Sequence, residues 1–275
     1  MLRYFQFQIP FDNTVDYTPH YSENPEIGIV IGTYGSVPYI DLQLHYLKNV
    51  NGFTKILVHD DCSEQQEELK ALCKSYNVDF YSPARQQFIF DGIGSVGDLH
   101  AFYQGLIWAK QNNVELLVKI SRRLIPCYEW KTNLINLIKE SDATAYSAYC
   151  TKDPFNMRTE LLGLYVPAYT QQYPLTCMQF SILNDYAVFA EFWWHELVKR
   201  ISGNNWSDKW FNYIKNSKHG YDHSGYCMWQ DVLGTCRFNN ANRRHNTLWR
   251  HYSSKEDYLN ELNKIFPNKY TINDL

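Results

Sequence analysis

Between Ile27 and Ile125 the sequence alternates short apolar runs with amphipathic stretches, and this order restricts the fold more than any other property of the chain. "IGIVIGTYG" (Ile27 to Gly35) reads as a strand entering a loop. "VPYIDLQLHYLKNVNGF" carries apolar residues at helical spacing and stops at Asn51-Gly52. "KILVHDDCSEQQEELKALCKSYNV" repeats strand, acidic loop and helix, with the helix expected to start near Ser63. "VDFYSP" is a third strand, "GDLHAFYQGLIWAKQNN" a third helix, and "VELLVKISRRLIP" a fourth strand running straight into Arg122 and Arg123. "GIGSVG" (Gly92 to Gly97) is expected to be a loop ahead of the third helix. Strands separated by helices predict an α/β fold: a doubly wound, mostly parallel central sheet flanked by helices.

Further along, "KTNLINLIKES" reads as a helix and "ATAYSAYC" as a strand, and from about Lys152 the alternation fades. "MQFSILNDYAVFAEFWWHELVKRI" is the one long helical stretch expected there. No repeat or low-complexity segment interrupts the chain. The expected organisation is one domain over residues 1–275, with a leader (1–26), a first half (27–150) and an elaborated second half (151–275) packed on one sheet.

Charge excludes some partners. With 26 Lys+Arg against 29 Asp+Glu the net charge is −3, which gives no global field for a polyanion, so a nucleic-acid partner is disfavoured. The seven cysteines are scattered without a C-x-x-C pair, which removes a zinc knuckle or dithiol motif and suits a reducing compartment. The leader lacks the long apolar run of a signal peptide, and no segment reaches membrane-spanning length, so a cytoplasmic location is expected. The chain is rich in Tyr (22), Phe (15) and Trp (8), residues that suit carbohydrate surfaces as well as cores.

"ILVHDDCSEQ" sets Asp60 and Asp61 at the carboxyl end of the second strand, where open parallel sheets place their ligands. "GTYGS" has neither the glycine spacing of a dinucleotide fingerprint nor the Lys-Ser/Thr of a P-loop.

With these motifs the chain resembles the glycosyltransferases of the GT-A fold, particularly family 2. Those enzymes open with an apolar strand and a Thr-containing loop, here "IVIGTYG". Their second strand ends in hydrophobic-Asp-Asp-Gly-Ser, here "LVHDDCS" with Cys62 in place of Gly. A helix beginning near a Gly and an acidic residue follows. The resemblance covers roughly Ile27 to Pro126. It implies that the first half binds a nucleoside diphosphate sugar and that the second half shapes a cleft for a glycan or glycoconjugate acceptor. Thr33 and Tyr34 would line the base pocket, and Asp60 would contact the base or ribose with Asp61 beside it. Asp98, at the start of the third helix, is a further candidate contact.

The same family ends its fourth strand in Asp-x-Asp, which holds manganese or magnesium against the donor diphosphate. Here that triplet is Ser121-Arg122-Arg123. Hard divalent cations want oxygen ligands, so no cofactor is expected, with manganese or magnesium held by other carboxylates as the alternative. A leaving diphosphate still needs its charge stabilised, and arginine does this through bidentate hydrogen bonds. Arg122 or Arg123 therefore stands in for the cation, with Lys119 as an additional candidate. Neighbouring residues leaving a strand point to opposite sides, so one arginine would face the ligand. Loss of Asp-x-Asp equally fits a catalytically inactive protein that binds a nucleotide sugar or glycan.

An inverting transferase needs a base for the acceptor hydroxyl. Asp231 in "MWQDVLG" is the match to the family's base, and a helix-start Asp favoured by the dipole is the alternative. His223 and Trp229 are candidate donor or acceptor contacts, while Asp185 and Asp222 are weaker candidates for the base.

Overall fold

Parallel pairing dominates the centre of the sheet. Strand β1 (Ile27–Thr33) lies between β2 (Lys55–Asp60) and β4 (Leu116–Ser121), and β3 (Asp79–Tyr81) flanks β2; all four run parallel. Beyond β4 the direction reverses. β7 (Leu161–Tyr165) pairs antiparallel with β4, and β6 (Ala145–Ser147) antiparallel with β7, giving the order β3-β2-β1-β4-β7-β6. A separate two-stranded ribbon joins β5 (Leu124–Pro126) to β8 (Cys236–Phe238). This computed structural model describes residues 17–84, 95–121, 124–126, 130–141, 143–147, 161–170, 201, 236–238 and 255–275.

The central strands are apolar on both faces because both are covered. Ile27, Ile29, Val30 and Ile31 of β1 and Leu116, Leu117 and Ile120 of β4 are each at most 1% exposed. Each such side chain contributes roughly 1.5–3 kcal/mol by leaving water. The connections are α1 (Val37–Leu44), continued by a π-helical segment His45–Val50, then α2 (Gln66–Tyr76) and α3 (Ser95–Gln111). Right-handed crossovers put α1 and α2 on one face and α3 on the other. Helix α4 (Trp130–Ser141) and the short α5 (Val166–Thr170) follow.

Three sequence expectations change. Helix α2 begins at Gln66, after a turn at residues 64–65, rather than near Ser63, whose backbone N–H donates to the Asp60 carboxylate at 2.8 Å. Residues 95–97, expected in a loop, form the first turn of α3. "LLGLY" forms β7 in the region where the alternation had seemed lost. The long helical stretch expected from Met178 lies outside the described residues except for Ile201, which is helical.

Both ends of the described chain are tied in. Glu115, just ahead of β4, accepts hydrogen bonds from the Ser22 N–H (2.7 Å), the Ser22 hydroxyl (2.6 Å) and the Glu26 N–H (3.2 Å). Tyr21 donates to the Ala143 carbonyl at 3.0 Å, so residues 17–26 of the leader lie on the sheet. At the other end, α6 (Lys255–Ile265) packs Tyr258 and Leu262 against Leu42 and Tyr46, with Tyr39 stacked on Tyr258. Beneath them the fully buried Asp41 accepts hydrogen bonds from the Tyr76 hydroxyl (2.7 Å), the Tyr270 hydroxyl (2.6 Å) and Lys269 Nζ (2.8 Å). Burial and this carboxylate neighbour raise both tyrosines well above the usual phenol range. Among the described residues no helix is long and apolar enough to cross a membrane.

Candidate functional site

Strand order reverses at β1, whose outgoing connection leads to β2 on one side while β4 arrives on the other. Such a switch point opens a crevice at the carboxyl ends of the strands. Register aligns those ends: Thr33 pairs with Asp60 and Gly32 with Ser121.

The loop after β1 turns sharply. Gly35 and Ser36 both adopt left-handed backbone, at φ 64° and 71°. Thr33 Oγ1 donates to the Gly35 carbonyl at 2.7 Å, and the Ser36 N–H donates to Gln65 Oε1 at 2.7 Å. Asp60 is completely buried and binds this loop to its own: Oδ1 accepts the Gly35 N–H at 2.9 Å, and Oδ2 accepts the Ser63 N–H at 2.8 Å. The Asp61 N–H closes the join by donating to the Thr33 carbonyl at 3.0 Å. Tyr34, held at the tip, is 50% exposed and offers its ring to solvent. Cys62 has φ 58°, a left-handed conformation in which glycine is strain-free.

The floor of the crevice is charged. Lys119 projects from β4, is 1% exposed, and forms an ion pair through Nζ with Oδ1 of Asp98 in the first turn of α3. Gly32 lets β1 lie close to α3: a Cβ there would lie 3.2 Å from the Ala101 Cβ, while Lys119 Cε at 3.8 Å and Asp98 Oδ1 at 3.9 Å would be in ordinary contact. Asp61 sits against Gly97, where an added Cβ would lie 2.6 Å from Asp61 Oδ2. Thus the glycine on α3 lets a carboxylate occupy the space that a side chain would fill.

Behind this floor His59 and His100 share a hydrogen bond of 2.8 Å, from Nε2 to Nδ1. His59 stacks on Tyr81 with ring centroids 5.3 Å apart, and its Nδ1 is buried without a hydrogen-bond partner among the described residues. His100 Nε2 lies 3.3 Å from the Gln104 side-chain amide nitrogen. Burial pushes both imidazoles down, to about 3 for His59, where the neighbouring His100 adds to the effect, and to about 4 for His100. They are a neutral pair linking the end of β2 to the first turns of α3.

The structure therefore gathers Thr33, Tyr34, Asp60, Asp61, Asp98 and Lys119 at one edge, and Ser121 ends β4 beside them. Arg122, Arg123, His223, Trp229 and Asp231, together with Asp185 and Asp222, lie outside the described residues. The sequence reading missed Gln65, Gly97 and the histidine pair. His59 had a signal, since an imidazole interrupts the apolar run "KILVHDD". Gln65 and Gly97 had none, because their partners are distant in sequence. Among the described residues no three His, Cys, Asp or Glu side chains converge as a metal site.

No family model matches the sequence. No curated protein matches it either. Among solved structures the chain is similar to residues 1–349 of TarS from S. aureus, at 12% identity and a TM-score of 0.42 over 64% of this chain and 55% of that one. A mannosyltransferase from Pyrobaculum calidifontis, solved with GDP-Man and Mn2+, is similar at 12% identity and 0.40, over 59% and 52%. A cytidylyltransferase from Leptospira borgpetersenii is similar at 10% identity and 0.37, over 59% and 74%. The chain thus spans about half the length of the first two.

Proposed function

We propose that this chain is a glycosyltransferase that moves a sugar from a nucleoside diphosphate sugar to a hydroxyl of a glycan or glycoconjugate. The observation that carries the reading is the crevice at the β1–β4 switch point, where the exposed Tyr34 ring and the buried acidic residues stand beside the strand that leads into Arg122 and Arg123. An aromatic platform suits a base, carboxylates suit hydroxyl and ring N–H donors, and arginines suit a diphosphate. The GT-A resemblance of the β1 and β2 motifs supports the same reading.

The described side chains divide the work. Asp60 has both oxygens engaged by backbone N–H groups, so its part is to hold the two loops that present Tyr34 and Asp61. Lys119 is buried and paired with Asp98, which leaves the diphosphate to Arg122 or Arg123. The resembled family would hold manganese or magnesium here, supplying positive charge to the leaving diphosphate. The groups at this strand end do not suit such an ion: Ser121-Arg122-Arg123 lacks a carboxylate, and Asp98 already carries an ammonium. The transfer is accordingly metal-independent in this reading, and inverting. The acceptor oxygen attacks the anomeric carbon, the bond from that carbon to the diphosphate oxygen breaks, and Asp231 takes the hydroxyl proton.

The test is calorimetric titration of nucleoside diphosphates and their sugars, with EDTA and separately with manganese, followed by assay of nucleoside diphosphate release with glycan acceptors. Binding in EDTA that weakens in Arg122→Ala or Arg123→Ala, with turnover lost in Asp231→Asn, supports the reading. Binding only with manganese would overturn metal independence. The missing Asp-x-Asp favours one rival, an inactive nucleotide-sugar binder, which predicts binding without release of nucleoside diphosphate.

A further inference from the structure

We propose that Gln65 is the positioning residue of the base pocket: it holds Ser36 in a left-handed conformation and thereby aims the Tyr34 ring at the nucleotide base. The inference rests on the reading of the crevice as a nucleotide-sugar site and deepens it.

Tyr34 is the one exposed large hydrophobic residue among those described. A ring on a loose loop would have to be ordered when a base stacks on it, and that ordering weakens binding. The backbone behind Tyr34 is instead fixed beforehand. Gly35 and Ser36 are consecutive left-handed residues, and serine lacks the glycine freedom that this conformation calls for. Such a backbone persists only where its surroundings overdetermine it. Here each N–H has its own acceptor, Asp60 Oδ1 for Gly35 and Gln65 Oε1 for Ser36.

The two acceptors differ in what else they do. Asp60 is wholly buried and also holds Ser63, so its removal disturbs both loops. Gln65 is half-buried in the turn before α2, and among the described residues its side chain makes a single hydrogen bond, the one to Ser36. Its carbonyl accepts the Leu69 N–H at 2.9 Å and so opens α2, while its side chain gives that helix no cap. Ser36 opens α1 in the same manner, its carbonyl accepting the N–H groups of Tyr39 (3.0 Å) and Ile40 (3.2 Å). The Gln65 side chain therefore links the starts of two helices through the residue that follows the Tyr34 turn. Gly35 permits this approach, since a Cβ there would lie 2.7 Å from Gln65 Oε1. A neutral amide oxygen also supplies the acceptor without adding a third carboxylate beside Asp60 and Asp61.

The experiment is calorimetry on the full chain, with EDTA and again with manganese. The uridine, guanosine, cytidine and adenosine diphosphates are titrated first, and the tightest is carried through the variants, each held below its own melting transition so that the affinities report folded protein. Tyr34→Ala and Gln65→Ala are each expected to bind about tenfold more weakly than the wild type. Tyr34→Ala/Gln65→Ala should bind no more weakly than Tyr34→Ala alone, because Gln65 acts through the ring. Gln65→Ala/Ser36→Gly should recover affinity relative to Gln65→Ala, because glycine takes the left-handed backbone without strain. Wild-type affinity in Tyr34→Ala or in Gln65→Ala overturns the inference. So does a double variant whose loss is the product of the two single losses, and so does a failure of Ser36→Gly to recover binding. Each of these outcomes leaves the transferase reading intact. Absence of binding by all four diphosphates to the wild type, with and without manganese, overturns the transferase reading itself.

Discussion

Asp60 accepts the backbone N–H of Gly35 at 2.9 Å across the gap between the first two strands of the sheet. One buried carboxylate thereby sets the shape of two loops, since its second oxygen holds Ser63. Asp60→Ala would leave two backbone donors without their acceptor, at about 3 kcal/mol. Urea denaturation at neutral pH should show that loss together with weaker nucleotide binding. A change below about 1 kcal/mol would mean that the loops hold their shape without the carboxylate.

Cys62 occupies a left-handed backbone position where the resembled family has glycine. A side chain there costs on the order of 1 kcal/mol. Cys62→Gly is therefore expected to raise stability by about that amount, less what glycine gains in unfolded-chain freedom, and thermal melting checks the sign. No gain would show that the cysteine's contacts offset the strain.

Gly97→Ala sets two effects against each other. Alanine favours the helix by about 1 kcal/mol, yet its methyl would press on Asp61 Oδ2 from 2.6 Å. The expected result is a change in stability within about 1 kcal/mol, with nucleotide affinity reduced about tenfold as Asp61 is displaced. Unaltered affinity, measured by calorimetry, would remove Asp61 from the site.

The histidine pair makes stability fall with acid. His59 and His100 have folded pKa values of about 3 and about 4, below the usual 6.5. As pH drops the unfolded chain takes up protons first, so the stability present above about 6.5 drains away toward pH 4, at up to about 1.4 kcal/mol per pH unit for each histidine. Urea midpoints at pH 7.5 and 5 should show the loss, and His59→Phe/His100→Leu should flatten it.

Asp41→Ala removes the acceptor of two tyrosine hydroxyls and one lysine. Breaking such a buried cluster costs about 3–5 kcal/mol. Limited proteolysis should then cleave the segment from Lys269 onward faster than in the wild type, because Lys269 and Tyr270 lose their tie to α1.

Local signals made the first half legible. Apolar runs, the Asn51-Gly52 stop and the acidic turn are written in neighbouring residues, so β1 to β4 and the Asp60–Asp61 corner could be read directly. β7 was missed because five residues of "LLGLY" give no periodicity that separates strand from helix, and its partner β4 lies some forty residues earlier. The sequence reading also gave Asp60 to the ligand, whereas both its oxygens serve the backbone. That difference depends on where Gly35 and Ser63 present their N–H groups, which only the folded loops decide.

Because β7 runs against β4, and β6 against β7, the end of β6 at Ser147 and the start of β7 at Leu161 lie at the same edge as Thr33, Asp60 and Ser121. The antiparallel β6–β7 pair thus turns two more strand ends toward the edge that carries Thr33, Asp60 and Ser121, so a change of chain length between Ser147 and Leu161 need not shift the register of a core strand.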